Sequence, residues 1–595
     1  SYDGIDDFYR EISNQGYKIS FDSIDEKVID SFVDSGALYL FKLHNKDFSS
    51  GSTGRQNLHT IYWRMLFAGE NLEDVIYKLN GEAELFYRRA SIKNPYIHKL
   101  GKKLVNRIDK DGKRIPDIAF SQLVKLADDE ITAGELSGVA KDLYEAGKVE
   151  IRDVKHEIIK DRRFAEDKFF FHVPITINAK ANDKASRFND FVNDAVRNFE
   201  DVNIIGIDRG ERHLLYVTVI DSKGKILEQR SFNTIDIDRY DGKRIDVDYH
   251  AKLDQMEKDR DKARKSWSEI GKIKDLKSGY LSMVVHEIAK LMVKYNAIVV
   301  LEDLNGGFKR GRSAIEKQVY QKFEKAMIDK LNYLVFKDSE PLSLGGALRG
   351  YQLADKFESF EKLGKQTGFI YYVPAAYTSK IDPTTGFTNI FDFKKCTSAE
   401  GIKKFFNLFD SIKYSATDDA FIFAFDYNRF DTRFPSWNSK WEVYSASRRL
   451  VFNKDVKTDV EINPTNVIID ALVKRGVAIT DEFNLGLYLK ETDATRENAG
   501  LFKSVFYAFE RTLQMRNSSA KTGEDYIESP VKNSSGGFFD SRKCGKELPE
   551  NADANGAYHI ALKGFMMVKE LKTKETPKLA IKNEAWLEFV QRMRK

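Results

Sequence analysis

The chain has 595 residues, of which 96 are basic and 91 acidic, for a formal net charge of +5. That length accommodates several domains with sizeable cores, and the near-balanced total leaves any nucleic-acid affinity to local basic stripes. Cys396 and Cys544 are the only cysteines, which excludes a disulfide framework and a cysteine-rich zinc site and points to a reducing cytosol; no run of about 18 apolar residues occurs, which excludes a spanning helix.

The opening stretch, SYDGIDDFYR, is neither an initiator start nor a signal peptide, and is expected to enter part-way into something longer. From there to about residue 180 the pattern is mixed α/β. Ala37 to Leu43 (ALYLFKL) and Phe169 to Ile177 (FFFHVPITI) read as strands, and Asn71 to Leu79 as a short amphipathic helix. Tyr87 to Arg107 and Lys155 to Phe164 are basic and interleaved with aromatics, a mixture suited to a phosphate backbone with stacked bases. A solvated charged face accounts for the same composition.

Residues 183 to 204 predict an amphipathic helix with Phe188, Phe191, Ala195 and Phe199 at helical spacing. It leads into VNIIGIDRGERHLLYVTVIDSKG, where the apolar run Ile204 to Ile207 stops on Asp208. A second strand (Leu214 to Ile220), a turn (Asp221 to Gly224) and a third strand (Lys225 to Phe232) follow. This meander is the expected start of a ribonuclease-H-like sheet. Asp208 either opens the turn or is a metal ligand at a strand end.

Ala251 to Ile270 (AKLDQMEKDRDKARKSWSEI) is too polar for a core helix. It either bridges domains against nucleic acid, with Arg264 and Lys265 as contacts and Trp267 as docking anchor, or is simply solvated. Leu276, Tyr280, Val284, Ile288 and Met292 form one apolar stripe on a helix to Tyr295, which feeds the strand Ala297 to Leu301 and its acids Glu302 and Asp303. HEIAK at His286 lacks the second histidine of a zinc-protease helix. Lys309, Arg310 and Arg312 then give a basic loop suited to phosphates.

A helix from Ile315 to Phe336, a Gly-rich loop and a strand from Gly368 to Val373 come next. Ala376 to Pro549 is irregular, with short strands, a DPTTG turn at Asp382, and helices at Thr465 to Arg475 and Leu501 to Arg516. It reads as an inserted domain. NADANG then places Asp553 just ahead of a helical pattern from Ala557 to Leu571. Alone, Asp553 or Asn555 reads as a helix N-cap. With Asp208 and Glu302, three carboxylates at two strand ends and a helix start suit a pair of Mg²⁺ ions.

GIDRGERHLLY, VVLEDLNGGFKRGR, LQMRNS and NADANGAYHIALKG resemble the RuvC-type nuclease segments of the type V-A CRISPR RNA-guided DNA endonucleases, the Cas twelve-a family. The resemblance covers essentially the whole chain and implies the C-terminal half of such a protein. It implies a multidomain α/β fold with a ribonuclease-H-like RuvC core in three segments (183–245, 273–376 and 551–595), a bridge helix (246–272) and an inserted α+β Nuc domain (377–550). Ahead of these it places a mixed, β-rich wedge domain (19–182) and the tail of the domain that reads the protospacer-adjacent motif (1–18).

By the same resemblance, Asp208, Glu302 and Asp553 are the catalytic acids that bind two Mg²⁺ ions, with Mn²⁺ as a substitute, and Arg516 is the arginine of the Nuc domain. His98, Lys160 and Phe164, with Arg163 beside them, match the site that trims precursor RNA without a metal. Arg107 stands where relatives carry a lysine, and arginine is a poor proton donor. The implied partners are a CRISPR guide RNA, target double-stranded and single-stranded DNA, and the N-terminal recognition-lobe half, in a bacterial cytoplasm and with no membrane. Two other readings stay open: an RNA-binding scaffold module inactive without its N-terminal half, and a transposon-type or junction-resolving nuclease acting without RNA.

Overall fold

The computed structural model describes residues 25–37, 78–79, 84–94, 97–98, 103–111, 113–153, 158–159, 162–172, 175–176, 185–209, 215–238, 244–248, 267–303, 314–340, 343–346, 349–433, 438–453, 455–519, 523–575 and 577–593. The chain divides into two compact units, whose longest segments are Tyr62–Ile177 and Asn178–Lys595. Among the described residues no helix is long and apolar enough to cross a membrane.

In the first unit the strands nest. Lys78–Leu79 pairs with Ile175–Thr176, Glu84–Arg88 with Lys168–His172, Ile97–His98 with Ile158–Ile159, and Lys103–Val105 with Ile151–Asp153, all antiparallel. The outgoing strands between residues 78 and 105 therefore meet the returning ones between 151 and 176 in a nested ladder of four separate pairs. At its far end the helices Asp117–Ala127 and Gly138–Glu145 close over a small core of Ile115, Ala119, Leu123, Leu136 and Ala140. The helix expected to end at Leu79 is corrected there: Lys78 and Leu79 are strand, their backbone claimed by Thr176 and Ile175. Of the strand expected from Ala37 to Leu43 only Ala37 is described, and it lies in a bend after the helix Glu26–Asp34.

The second unit is built on one six-stranded sheet. Its elements are helix α1 (Ala185–Asn198), strands β1 (Asn203–Asp208), β2 (Tyr216–Ile220) and β3 (Ile226–Ser231), helix α2 (Trp267–Tyr295), strand β4 (Ala297–Asp303), helix α3 (Ala314–Asn332), and strands β5 (Gln366–Thr367) and β6 (Ile370–Pro374). The order is β3-β2-β1-β4-β6-β5. β1, β4 and β6 are parallel neighbours, and β2, β3 and β5 run antiparallel to the strands they flank. Helix α2 supplies the crossover that parallel pairing of β1 with β4 requires.

Both faces of the central strands are covered, which is why β1 and β4 read as unbroken apolar runs. Ile205, Ile207, Val299 and Leu301 share a core with Val284, Ile288 and Met292 of α2 and Phe323 and Met327 of α3. On the other face Ile204, Ile298 and Val300 meet α1 and the long helix near the C-terminus. In α1 the buried stripe is Phe188, Val192 and Val196, four residues apart, whereas Phe191 is 59% exposed, so the expected Phe191 and Ala195 face is corrected by one position around the helix. Helix α2 is continuous from Trp267, so the expected limit of a bridge helix at residue 272 falls inside it.

Between β6 and the last helices lies the irregular region, with helices α4 (Ala399–Phe406), α5 (Pro464–Val473) and α6 (Ala499–Thr512), and a small sheet of β7 (Arg516–Ser518), β8 (Asp525–Lys532) and β9 (Phe538–Asp540). The helix expected to reach Arg516 stops at Thr512, and Arg516 opens a strand instead. Helix α7 (Ala552–Thr573) and helix α8 (Asn583–Met593) finish the unit. Asn551 is the N-cap of α7, its side chain accepting from the Ala554 N–H, so Asp553 and Asn555 are corrected from caps to residues inside the helix.

Candidate nuclease site

Register fixes the first two acids. Ile207 of β1 stands opposite Leu301 of β4 in parallel pairing, so Asp208 and Glu302 follow side by side at the carboxyl ends of neighbouring strands. Alternation puts both on the face that carries Ile204 and Val300, under α7. The acids are buried, each about 8% exposed.

The third acid arrives on α7, which crosses β1 at a distance only glycine allows. A Cβ on Gly206 would lie 2.1 Å from the Ala557 carbonyl oxygen and 2.5 Å from the Ala561 nitrogen. One turn before Ala557 stands Asp553, and a Cβ on Gly556 would lie 2.1 Å from Asp208 Oδ2. The first turn of α7 is thus seated on the Asp208 carboxylate itself, and Asp208 is near enough to Arg516 to help hold its charge.

Arg516 reaches in from β7. Its Nη2 donates to Asp553 Oδ1 at 2.7 Å and to Asp525 Oδ1, on β8, at 3.2 Å. Burial works against the guanidinium charge, but Asp553, Asp525 and Asp208 together outweigh it and raise its pKa above the ordinary arginine value. The other oxygen of Asp553, Oδ2, is buried and accepts no hydrogen bond. A buried carboxylate oxygen without a donor is costly unless something positive completes it.

Further contacts set the acids. Arg209, the residue after Asp208, donates from Nη2 to the Glu302 carbonyl oxygen at 2.6 Å and pairs with Glu324 of α3 at 3.8 Å, tying the ends of β1 and β4 together on the opposite face. The Thr378 hydroxyl donates to Glu302 Oε1 at 2.8 Å. Lys563 of α7 is buried among these groups, where desolvation pushes its pKa down to about 7 against the opposing pull of Glu302.

Oxygen-only donors and the orphaned Asp553 Oδ2 fit a hard divalent cation. As placed, a guanidinium stands beside Asp553, and among the described residues no three His, Cys, Asp or Glu side chains are drawn together into a finished ion site.

The structure thus brings Asp208, Glu302, Asp553 and Arg516 to one end of one sheet. Gly206, Thr378, Asp525, Lys563 and Arg209 were not anticipated as part of it. Only Gly206 carried a local signal, a glycine inside an apolar strand run, which marks close backbone approach.

The RNA-site residues belong to the first unit. His98 lies in the strand opposite Ile158, and Arg163 in the helix Arg162–Ala165; their side chains, like that of Trp267 at the start of α2, lie outside what is described. Phe164 is 45% exposed, with the Arg88 guanidinium 5.2 Å from its ring centre. Arg107 is bonded to Asp117 and covers the Phe120 ring at 4.7 Å. Lys160, Arg264, Lys265, Lys309, Arg310 and Arg312 lie outside the described residues.

A sheet of this order, with acids at the ends of its adjacent parallel strands and helices on both faces, is a ribonuclease-H-like core of the kind found in nucleases. Residues 182–595 match the family model of the RuvC nuclease domain. The chain belongs to that family, and is a nuclease, a hydrolase of nucleic-acid phosphodiesters.

Proposed function

We propose that the chain is the nuclease-bearing C-terminal half of a type V-A CRISPR RNA-guided endonuclease that cuts DNA to leave 5′ phosphate and 3′ hydroxyl ends. The observation that supports this most is the convergence of Asp208 and Glu302, adjacent in register, with Asp553 and Arg516 from α7 and β7. Asp208, Glu302 and Asp553 would hold two Mg²⁺ ions, with Mn²⁺ as a substitute; RuvC nucleases generally use divalent metals. Bound there, such ions supply a lowered pKa for water and a counter-charge for the scissile phosphate.

The chain's own groups do the rest. Arg516 presents a planar fork to a phosphate whose charge grows in the transition state. Burial of the acids lowers the local dielectric and strengthens that interaction. In the first unit, His98, Lys160, Arg163 and Phe164 hold and trim the handle of a CRISPR guide RNA, with Phe164 as the stacking face. Arg107, bonded to Asp117, stands where relatives carry a lysine and is a poor proton donor in its place. Arg264, Lys265, Lys309, Arg310 and Arg312 contact nucleic acid, and Trp267 anchors the bridge helix. The chain works in the bacterial cytoplasm on target double-stranded and single-stranded DNA, completed by its N-terminal recognition-lobe half.

Asp208→Ala tests the reading. It is expected to abolish DNA cleavage in Mg²⁺, assayed with guide RNA and the N-terminal half supplied, while leaving DNA binding within about threefold, since the lost carboxylate would hold metal rather than the DNA backbone. Undiminished cleavage by that variant would exclude the assignment.

A further inference from the structure

Strand β4 fixes the Cα of Glu302 but leaves its side-chain torsions free. The segment after β6 removes that freedom. Thr378 is buried with its hydroxyl 2.8 Å from Glu302 Oε1, closer than the Ala375 carbonyl oxygen, the other acceptor in reach, at 3.2 Å. The residue before it, Tyr377, has φ +56°, a left-handed conformation that strains a non-glycine residue. Such strain persists only where the surroundings over-determine the backbone.

Here they do. Lys563 Nζ, from α7, donates to the Pro374 carbonyl at 2.5 Å and the Ala376 carbonyl at 2.7 Å. Trp586 Nε1, from α8, donates to the Tyr377 carbonyl at 2.7 Å. Both donors are themselves buried, and the Trp586 ring lies 5.2 Å from the Lys563 ammonium. Three carbonyls within four residues are therefore gripped from two helices, immediately before the hydroxyl that meets the acid.

The geometry points to Thr378 as a positioning residue for Glu302, delivered by a clamp of Lys563 and Trp586 on a strained turn. The inference rests on the nuclease reading above and deepens it. The hydroxyl commits one oxygen of the carboxylate to the protein, so Glu302 presents the other from a fixed rotamer. A carboxylate held this way loses less freedom when it takes up a cation.

The experiment compares Thr378→Val, Thr378→Ser and Glu302→Ala in the full chain, completed with guide RNA and the N-terminal half. It reads Mn²⁺ affinity by paramagnetic resonance, kcat and KM for DNA cleavage, and melting temperature. Thr378→Val is expected to weaken Mn²⁺ binding and kcat by about 10- to 100-fold with KM for DNA unchanged. Thr378→Ser should restore both to within about threefold, because it keeps the donor. In a Glu302→Ala background, Thr378→Val should add nothing further. A Ser variant as poor as Val, with both melting low, would overturn the role of the hydroxyl. Wild-type Mn²⁺ binding and cleavage by Thr378→Val, with both lost in Glu302→Ala, would overturn this inference alone; both retained in Glu302→Ala would overturn the nuclease assignment of that acid.

Discussion

Arg516 stands between Asp553 and Asp525 and bonds each of them. That planar geometry matters as well as the charge, because an ammonium is a point donor on a flexible stem. Arg516→Lys is therefore expected to lose about 10²- to 10³-fold in single-turnover cleavage, close to the loss in Arg516→Ala. Near-wild-type cleavage by the lysine variant would show that a positive charge suffices. Lys563 presents a different electrostatic problem. Burial pushes its pKa from the ordinary 10.5 to about 7, so between those values the unfolded chain binds a proton that the folded chain does not. The buried charge costs stability at the acid end, and stability rises with pH as the folded chain gives up that proton before the unfolded chain does. Lys563→Met should lack that rise, and should be less stable throughout because the Pro374 and Ala376 carbonyls lose their donor. Denaturant unfolding of both proteins between pH 7 and 9 measures the difference; parallel curves would contradict it.

Helix α7 is the element on which the site depends, and its two glycine contacts separate fold from chemistry. At Gly206 the neighbour is helix backbone, which cannot yield, so Gly206→Ala should destabilise the protein by several kcal/mol, on the order of the larger overpacking penalties. At Gly556 the neighbour is the end of the Asp208 side chain, which can turn away, and alanine favours the helix by about 1 kcal/mol. Gly556→Ala should therefore melt near the wild-type temperature and still cleave poorly. A variant that cleaves normally would show that α7 does not sit on Asp208 in solution. The start of this helix was illegible in sequence because NADANG is poor in helix formers, and what permits it is the sheet beneath, a long-range fact. β1 and β4 were legible, since strands covered on both faces are continuous apolar runs and an acid ending such a run stands out. Arg516 was misread as a helix-end residue because the pattern of α6 runs on through Leu513 and Met515, both buried.

Across the second unit, one hydrophobic core joins Ile204 and Val300 of the sheet to Phe405, Phe423 and Phe509 of the inserted region. Aromatic edges dominate it there, with Phe409 and Phe509 ring centres 5.2 Å apart and Phe391 and Phe430 5.1 Å apart. This sharing brings Arg516, at the edge of the inserted region, within hydrogen-bonding distance of Asp553 on α7. Sequence showed an irregular region between the strand and the last helices, but not the merging of its core with that of the sheet. Thr378 and Lys563 were invisible for the same reason: their partners come from other elements, and neither forms a local pattern. The first unit has the opposite economy. Its ladder leaves Val105 and Ile151 paired where the two-helix excursion begins and ends, so those helices are grafted at a single doorway. Lengthening or trimming the outer part of that cassette would leave the Val105–Ile151 pairing at its base where it was, whereas exchanging it whole would also take away Asp117 and Phe120, which hold Arg107.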